Sequence, residues 1–561
     1  MLAKHSQKYL TFVETLAYIL AGWSFFILFF EELFLGFHHY PQIELITALA
    51  NLFLATLATA LKLISQEKSN KSIWFDLSMI VFGILIMFYQ TKYLIFILLI
   101  RQSYYFLQYM LFGLFDGRIS RAISKSPSLS LMLSFALVIL LGAILLMMPT
   151  ASVSGKSISF VDSVFTATSA TCVTGLSVFD IGSQFTLFGQ TVILILIQIG
   201  ALGIMTISTA FALILGRRLN LRLENVMHNV IGGTYKIDMF RLLKSIVLVT
   251  IIIEILGAIC LYIVFSRDMS PSSAMYNSLY HSISAFSNAG ISLFKDSFAR
   301  YVSNPLINIT IMTLIVLGGI GFAVLMDLFH YFTSPNKVRK LSLHSKIVLI
   351  MTVSVIVLGF LGIFIAEHDK SLTPYPFKTK ILAVLFHSIT SRTAGFNTVD
   401  ITQLSPASTF VTNLLMFIGA SPGSTGGGVK TTTVALLILW VVAMFRGKKE
   451  VCLFNRRIPF SNIREATILV TIAGALIFIF GYLLMLTQDF SSEDILFEAV
   501  SAFGTVGLSR GITPHLNKIG KLLITLLMYL GRIGPLTLIY ALSTRKHQAH
   551  IDYAEEKIAI G

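Results

Sequence analysis

Four tripeptides that end in glycine contain the residues of this sequence that could coordinate an ion. In chain order they are Val173, Thr174, Gly175; Asn288, Ala289, Gly290; Thr393, Ala394, Gly395; and Thr505, Val506, Gly507. Successive glycines are 115, 105 and 112 residues apart, so the chain carries a long internal repeat. Backbone carbonyls that face a common axis can replace the water shell of a permeating cation. Glycine permits the backbone angles that this needs and leaves space for the other three segments.

A second glycine motif follows each tripeptide inside an apolar stretch. Its first glycine comes 25, 28, 24 and 24 residues after the tripeptide glycine. The motif glycines are Gly200 and Gly203, Gly318 and Gly321, Gly419, and Gly531 and Gly534. Any single pair could serve only close helix packing in a bilayer. The nearly fixed distance favours a duplicated hairpin.

The composition predicts an integral membrane protein. Of the 561 residues 55% are hydrophobic and 12% charged, and the mean hydropathy is +0.81. The net charge of +15 does not indicate nucleic-acid binding, because Lys and Arg lie in short loops between apolar stretches. The three cysteines suggest no disulfide framework.

These patterns predict an all-α membrane protein with four tandem helix, pore loop, helix repeats in a pseudo-fourfold arrangement around one pore. The repeats are expected at 129–241, 242–345, 346–465 and 466–545, followed by a cytoplasmic tail at 546–561. About four further spans are expected within 1–128, at 11–36, 42–64, 73–91 and 93–116. Basic residues after the second and fourth spans and after the repeats would be cytoplasmic, as would both termini.

Within this N-terminal region, Glu14, Glu31, Asp76 and Arg101 are candidate charges inside the membrane. A voltage sensor would need an arginine-rich helix, whereas Arg101 stands nearly alone. We therefore favour a packing or assembly region in which Arg101 pairs with Asp76 or another acid.

Each repeat is expected to place a short pore helix between an outer and an inner helix. The outer helices are predicted at 129–149, 242–266, 346–366 and 466–487, and the inner helices at 187–216, 304–332, 406–445 and 519–542. Asp162 is the expected N-cap of the first pore helix, and Ser491 or Ser492 that of the fourth. The C-terminal ends of these helices would direct partial negative charge toward the pore, which favours a cation.

The third inner helix contains a segment that cannot remain a regular helix. Between Gly419 and Gly428 it reads GASPGSTGGG. An unwound segment in the membrane needs a wet cavity, such as a pore. A phosphate-binding loop is a poor alternative, because no strand precedes the segment and the Walker spacing is missing.

Two arginines in apolar surroundings also need partners. Arg532 in the last inner helix is expected to donate hydrogen bonds to carbonyls of the unwound segment while repelling cations. Arg392, beside the third tripeptide, is expected to form an ion pair behind it, with Glu498 as the candidate partner.

The four loops, the segment SPGSTGGGVKTTT and the late GRIGPLT closely resemble the Trk/Ktr/HKT superfamily of potassium transporters, in particular the TrkH and KtrB pore subunits. The resemblance implies K⁺ as the transported ion, with no organic cofactor on this chain. It implies a selectivity filter in which backbone carbonyls bind K⁺, those of Thr174, Gly175, Ala289, Gly290, Ala394, Gly395, Val506 and Gly507. It also implies an intramembrane gate made of Gly419, Ser421, Gly423, Ser424, Thr425, Gly426, Gly427, Gly428 and Arg532. Gly at 175, where some plant members have serine, favours K⁺ over Na⁺.

The resemblance further implies a homodimer and a separate cytoplasmic, nucleotide-binding ring subunit similar to TrkA or KtrA. That ring would dock on the basic loops at 217–241, 337–346 and 446–464. A coupled K⁺/Na⁺ or K⁺/H⁺ symporter remains open beside a gated channel. A membrane enzyme or receptor is less favoured, because the sequence has no HExxH, nucleophile elbow, Cys/His cluster or Rossmann motif.

Overall fold

Helices make up most of the chain that this computed structural model describes. The described residues are 41–64, 76–81, 127–203, 239–333, 341–448, 450–534 and 537. Several predictions fall outside them: the spans at 11–36 and 93–116, most of 73–91, the charges Glu14, Glu31 and Arg101, most of the loop at 217–241, and the tail at 546–561.

The helices are numbered in chain order. They are α1 (Pro41–Ile64), α2 (Pro127–Leu146), α3 (Phe160–Thr171), α4 (Ile181–Gln184), α5 (Leu187–Leu202), α6 (Met239–Asp268), α7 (Pro271–Phe286), α8 (Pro305–Gly319), α9 (Phe322–Thr333), α10 (Leu343–Glu367), α11 (Phe377–Thr390), α12 (Pro406–Phe417), α13 (Thr431–Phe445), α14 (Phe460–Thr487), α15 (Ser492–Gly504) and α16 (Lys518–Ile533). Short 3₁₀ turns lie at Pro149–Ala151, Ala299–Tyr301, Ile401–Gln403 and Thr513–His515.

Long apolar helices stand where outer helices were predicted. Within the described part of the chain, α10, α14 and residues Ser245–Asp268 of α6 are long and apolar enough to cross a membrane. Many of their large apolar side chains are exposed, as at Ile365 and Phe478. Helix α2 occupies the corresponding place in the first predicted repeat and is shorter, with 20 residues.

The helices at the predicted places of the pore helices, α3, α7, α11 and α15, are short, with 12, 16, 14 and 13 residues. We call them the pore helices by position. Ser491 caps α15, since its Oγ accepts a hydrogen bond from Asp494 N at 3.1 Å. The prediction that Asp162 caps α3 was wrong. Ser159 Oγ accepts from Asp162 N at 3.2 Å, and Asp162 lies in the first turn. Both helices therefore begin with the same Ser-x-x-Asp arrangement.

Two inner helices are interrupted. The predicted unwinding of the third occurs between α12 and α13. The second was expected to be continuous, but α8 and α9 meet at an angle of 103°. The break falls at Gly321, whose φ is +94°, in the left-handed region where glycine is favoured. The motif glycines Gly203 and Gly534 follow the ends of α5 and α16, with φ of +76° and +84°.

A small β-hairpin follows α13 and departs from the all-helical prediction. Strand β1 (Cys452–Leu453) pairs antiparallel with β2 (Arg456–Arg457). The turn residues Phe454 and Asn455 have φ of +50° and +59°. Val451 and Ile458 at its base are buried in a cluster with Ala443 and Ile463, which attaches the hairpin to α13 and α14.

The chain divides into two compact units. One comprises residues 1–125, 139–167 and 179–195, and the other comprises 126–138, 168–178 and 196–561. The second unit contains all four glycine tripeptides. One of its hydrophobic clusters surrounds α7 and includes Phe265, Phe286, Phe298 and Phe396, each fully buried.

Candidate functional site

The four glycine tripeptides share one backbone conformation. Their first residues have φ of +57° at Val173, +58° at Asn288, +74° at Thr393 and +49° at Thr505. Their glycines have φ of +95° at Gly175, +64° at Gly290, +82° at Gly395 and +89° at Gly507. A left-handed conformation is costly for a β-branched residue such as Val173, so the surrounding structure must impose it.

Hydrogen bonds to the pore helices impose this conformation. The middle-residue amides of three tripeptides donate to the carbonyl five residues earlier, at 2.8 to 2.9 Å: Thr174 N to Ser169 O, Ala289 N to Ser284 O and Val506 N to Ser501 O. In the third, Ala394 N donates to Thr390 O, four residues earlier, at 2.9 Å. The third segment is thus one residue shorter, which agrees with HSISAFSNAG against HSITSRTAG in the sequence.

The tripeptides contact one another in a closed cycle. A Cβ added to each glycine would lie less than 3.0 Å from the carbonyl oxygen of the middle residue in the next tripeptide. The pairs are Gly175 with Ala289, Gly290 with Ala394, Gly395 with Val506, and Gly507 with Thr174. Real Cβ atoms do not come this close, so all four positions exclude a side chain.

The cycle offers backbone oxygens as ligands. Eight of the twelve tripeptide residues are fully buried, and the four glycines retain partial exposure. Among the described residues no group of three or more His, Cys, Asp or Glu could hold a metal ion. The tripeptide carbonyls are of the kind that line carbonyl-built ion sites.

The second glycine motif places the inner helices directly against the pore helices. A Cβ on Gly200, Gly318 or Gly531 would meet the carbonyl oxygen four residues before the tripeptide glycine of its own repeat, at less than 3.0 Å. These carbonyls belong to Thr171, Phe286 and Phe503. In these three repeats the first motif glycine allows the inner helix to pack closely against the pore helix. The glycine three residues later has a positive φ and follows the end of a helix.

The segment from Gly419 to Gly428 is bonded to the break between α8 and α9. Ser421 N donates to Gly319 O at 3.0 Å, and Phe322 N donates to Gly423 O at 2.9 Å. Backbone groups freed by the break thus find partners in the unwound segment, as buried backbone requires.

The same segment lies directly against the first residues of the third and fourth tripeptides. Gly427 N donates to Thr505 Oγ1 at 3.0 Å. A Cβ on Gly426 would lie within 3.0 Å of Thr393 Oγ1. The amide of Asn288 lies 3.2 Å from the hydroxyl of Thr393. Of the predicted gate residues, Ser421, Thr425, Gly426, Gly427 and Gly419 are buried and Gly423, Ser424 and Gly428 are partly exposed.

Two cations hold the segment. Arg532 donates through Nη1 to Thr425 O and through Nη2 to Gly200 O, as its sequence context predicted for the loop carbonyls. Lys430 Nζ donates to Gly426 O at 2.7 Å and to Gly427 O at 3.4 Å. Sequence reasoning missed Lys430, although it is the one charged residue in SPGSTGGGVKTTT.

The predicted ion pair between Arg392 and Glu498 was wrong. Both residues are buried, but no salt bridge joins them, and Arg392 Nε has no partner among the described residues. Glu498 instead accepts a hydrogen bond from Thr513 Oγ1. Glu498 lies on α15 about two turns before the fourth tripeptide, and it faces the segment beyond that tripeptide.

Charged groups also order the loops that follow the tripeptides. Arg510 pairs with Glu493 at 2.9 Å and with Asp494 at 2.6 Å, and it donates to Thr409 Oγ1 at 2.7 Å. After the second tripeptide, Arg300 pairs with Asp296 at 2.7 Å on the surface. The hydrogen bond from Arg300 lowers the pKa of Asp296 below its usual value.

Comparison with known proteins agrees with this geometry. Residues 124–551 match the family model for TrkH, described as a cation transport protein. The chain belongs to the TrkH family. Among relatives in this family, the Ktr system potassium uptake protein B of Bacillus subtilis is 38% identical over 438 residues, which cover 78% of this chain and 97% of the relative.

Two further TrkH-family relatives extend the comparison. The Ktr system potassium uptake protein B of Vibrio alginolyticus is 38% identical over 448 residues, covering 80% of this chain and 97% of the relative. The potassium/sodium uptake protein NtpJ of Enterococcus hirae is 35% identical over 443 residues, which cover 78% of this chain and 97% of the relative. The resemblance found in the sequence is thereby confirmed.

The crystal structure of the potassium transporter TrkH from Vibrio parahaemolyticus has the same fold. The TM-score is 0.59 with 18% identity, over 90% of this chain and 99% of that chain. Family membership and the spanning helices make this chain a membrane protein.

Proposed function

We propose that this protein takes up K⁺ across the cytoplasmic membrane through a filter formed by the four glycine tripeptides. The observation that carries the proposal is the closed cycle in which each glycine faces the carbonyl of the next tripeptide. In this reading the repeats stand in pseudo-fourfold order around one pore, and about four N-terminal spans precede them. The names of the Ktr relatives support K⁺ as the ion.

The carbonyls proposed to bind K⁺ are those of the middle and last tripeptide residues. Amides of these residues donate hydrogen bonds to the pore helices. Gly175 N donates to Ser169 Oγ at 3.1 Å, and Gly507 N donates to Ser501 Oγ at 3.2 Å. Fixing the amide on the outer side of the loop leaves the carbonyls for the ion.

The segment from Gly419 to Gly428, with Arg532, is proposed as the gate. It carries few side chains that could pack, and its position depends on the hydrogen bonds from Arg532, Lys430 and the α8–α9 break. A positive charge beneath the filter opposes cation passage while the segment is in place. Displacement of the segment would open the path.

Regulation is proposed to come from a separate nucleotide-binding ring docked on the cytoplasmic face of a homodimer. Two of the predicted docking loops meet in the second unit, where Lys346 Nζ lies 5.0 Å from the centroid of the Phe454 ring. Phe454 at the hairpin tip is half exposed and is followed by the exposed Arg456 and Arg457. An exposed aromatic flanked by basic residues suits a protein partner.

Reversal potentials in proteoliposomes test the function. Under imposed K⁺, Na⁺ and H⁺ gradients, a K⁺-selective conduit gives a potential set by the K⁺ gradient alone. A potential that also follows the Na⁺ gradient would favour the alternative of coupled K⁺/Na⁺ symport. Flux that ignores the K⁺ gradient would overturn the proposal.

A further inference from the structure

The pore helices α7 and α15 each carry, at the same position, a polar side chain that contacts the segment beyond the tripeptide. His281 lies nine residues before Gly290, and Glu498 lies nine residues before Gly507. Both are fully buried. They therefore occupy the same position in the second and fourth repeats.

His281 holds the segment that follows the second tripeptide. Its Nδ1 lies 2.7 Å from Asn277 O, so this nitrogen carries the proton and donates it. Its Nε2 then accepts from Leu293 N at 3.3 Å and lies 3.0 Å from Ser292 Oγ. The ring is also stacked on Phe294 at 4.5 Å between centroids.

Glu498 makes the equivalent contact in the fourth repeat. Its Oε1 accepts from Thr513 Oγ1, which lies 2.9 Å from Ser509 Oγ. Ser292 and Ser509 are both the second residue after their tripeptide glycines. His281 thus contacts the segment beyond its tripeptide directly, and Glu498 reaches the corresponding serine through Thr513.

In the other two repeats the side chain at this position has a different partner. His387 at the corresponding place in α11 has its Nε2 3.0 Å from Thr412 Oγ1, on the inner helix α12. Thr166 in α3 donates to Asp162 O of its own helix at 2.8 Å. In the cycle of glycine contacts the second and fourth tripeptides do not adjoin, so the two connections lie on opposite sides.

We propose that His281 and Glu498 are positioning residues for ion discrimination, which fix the separation of the second and fourth filter segments. Neither touches the ion. Each acts by anchoring the backbone just beyond its tripeptide, so that the facing carbonyls cannot approach one another to fit a smaller cation. This inference rests on the proposed function, since it needs the tripeptides to be the filter.

The physical argument concerns the backbone beyond the glycine. A glycine in the left-handed region restrains its neighbours weakly, so the carbonyl positions depend on what holds the segment that follows. A partly buried donor, Leu293 N, also loses its acceptor when His281 is replaced, and relief of that loss requires the segment to move. Movement there changes the cavity that selects the ion.

The test compares variants that separate hydrogen bonding from packing. His281→Phe keeps a ring against Phe294 but removes the acceptor, whereas His281→Gln keeps an acceptor near Nε2. Glu498→Ala removes the acceptor for Thr513, and Glu498→Gln keeps it. His387→Phe is the matched control, because it makes the same change at the same place in a repeat whose histidine bonds α12.

Rb⁺ and Na⁺ fluxes in proteoliposomes are the readout, with thermal unfolding measured alongside. We expect the Na⁺/Rb⁺ flux ratio to rise about tenfold in His281→Phe and Glu498→Ala, as loss of one buried hydrogen bond allows. The ratio should stay near that of the wild type in His281→Gln, Glu498→Gln and His387→Phe.

Two results are distinguishable. If the wild type itself does not discriminate Rb⁺ from Na⁺, the proposed function fails. If the wild type discriminates and all five variants do so equally, or if the ratio follows the loss of thermal stability regardless of the acceptor, the positioning role is overturned.

Discussion

Arg532 lies 107 residues along the chain from Thr425, and its guanidinium nevertheless donates a hydrogen bond to the Thr425 carbonyl oxygen. The other terminal nitrogen donates to Gly200 O on α5. One side chain on α16 thereby connects the unwound segment to another inner helix. A guanidinium suits this task, since its fixed fork of donors reaches two acceptors at once.

Removal of this connection is expected to open the path. Arg532→Ala and deletion of residues 421–426 should each raise K⁺ flux, by about tenfold for the arginine because charged hydrogen bonds contribute about 1.5–3 kcal/mol. The double change should not exceed the larger single effect, because both remove the same barrier. Flux in proteoliposomes without any partner measures this, with Arg464→Ala on the exposed face of α14 as control. Reduced flux in a well-folded variant would contradict the gating role.

Lys430→Met is expected to raise flux as well. Met retains the length of the side chain but cannot donate to Gly426 O and Gly427 O, so two carbonyls of the segment lose their cation. Lys448→Met makes the same change at an exposed site after α13 and should leave flux unchanged. Equal fluxes in the two variants would show that Lys430 does not hold the segment.

Gly175→Ser is expected to raise the Na⁺/K⁺ uptake ratio at least about tenfold, which corresponds to about 1.4 kcal/mol in relative ion affinity. The new Cβ would collide with Ala289 O, so the first and second tripeptides must separate. Gly155→Ser is the matched control, because Gly155 also has positive φ, +66°, but a Cβ there meets nothing within 4 Å. Rb⁺ and Na⁺ uptake in a strain deficient in K⁺ uptake provides the measurement. An unchanged ratio would remove Gly175 from the filter.

Arg510→Ala is expected to lower the free energy of unfolding by about 1–3 kcal/mol, because two acids and Thr409 lose a largely buried partner. Arg300→Ala should cost less than about 1 kcal/mol, since its pair with Asp296 is exposed. Chemical denaturation in detergent compares the two. Equal losses of unfolding free energy in the two variants would show that burial does not increase the contribution of the Arg510 ion pairs to stability.

Thiol labelling tests the proposed orientation. Cys452 in β1 is exposed and Cys172 at the end of α3 is buried. A membrane-impermeant maleimide should therefore label Cys452 in inside-out vesicles and not in right-side-out ones, with Cys172 unlabelled in both. A Cys452→Ser variant controls for other sites. Labelling of Cys452 from the outside would reverse the orientation.

Residues that repeat along the chain could be interpreted from the sequence, whereas contacts between distant segments could not. The four tripeptides could be recognised because they recur at similar spacing. The unwinding after α12 could be predicted from the glycines and the proline between Gly419 and Gly428. The break at Gly321 was missed because a glycine in a helix end and one in a helix contact look alike in sequence. Phe322 N must also find Gly423 O, about a hundred residues away, before the break is stable.

The same limit explains the errors at single residues. Arg392 and Glu498 were paired by charge, but a charge pattern does not specify which side of a pore helix each residue faces. Glu498 faces Thr513, and sequence comparison with His281 at the equivalent position could have indicated this. Ser159 was overlooked as the cap of α3 because Asp162 also has a good capping side chain.

The cycle of glycine contacts is made by one continuous chain, and this gives it a freedom that four identical subunits lack. In a homotetramer a single gene change appears in every quarter of the ring. Here the third segment is one residue shorter than the second, and histidine and glutamate occupy equivalent places on α7 and α15. Mutation can therefore adjust such a ring one quarter at a time, so its preference among ions can be altered in small steps.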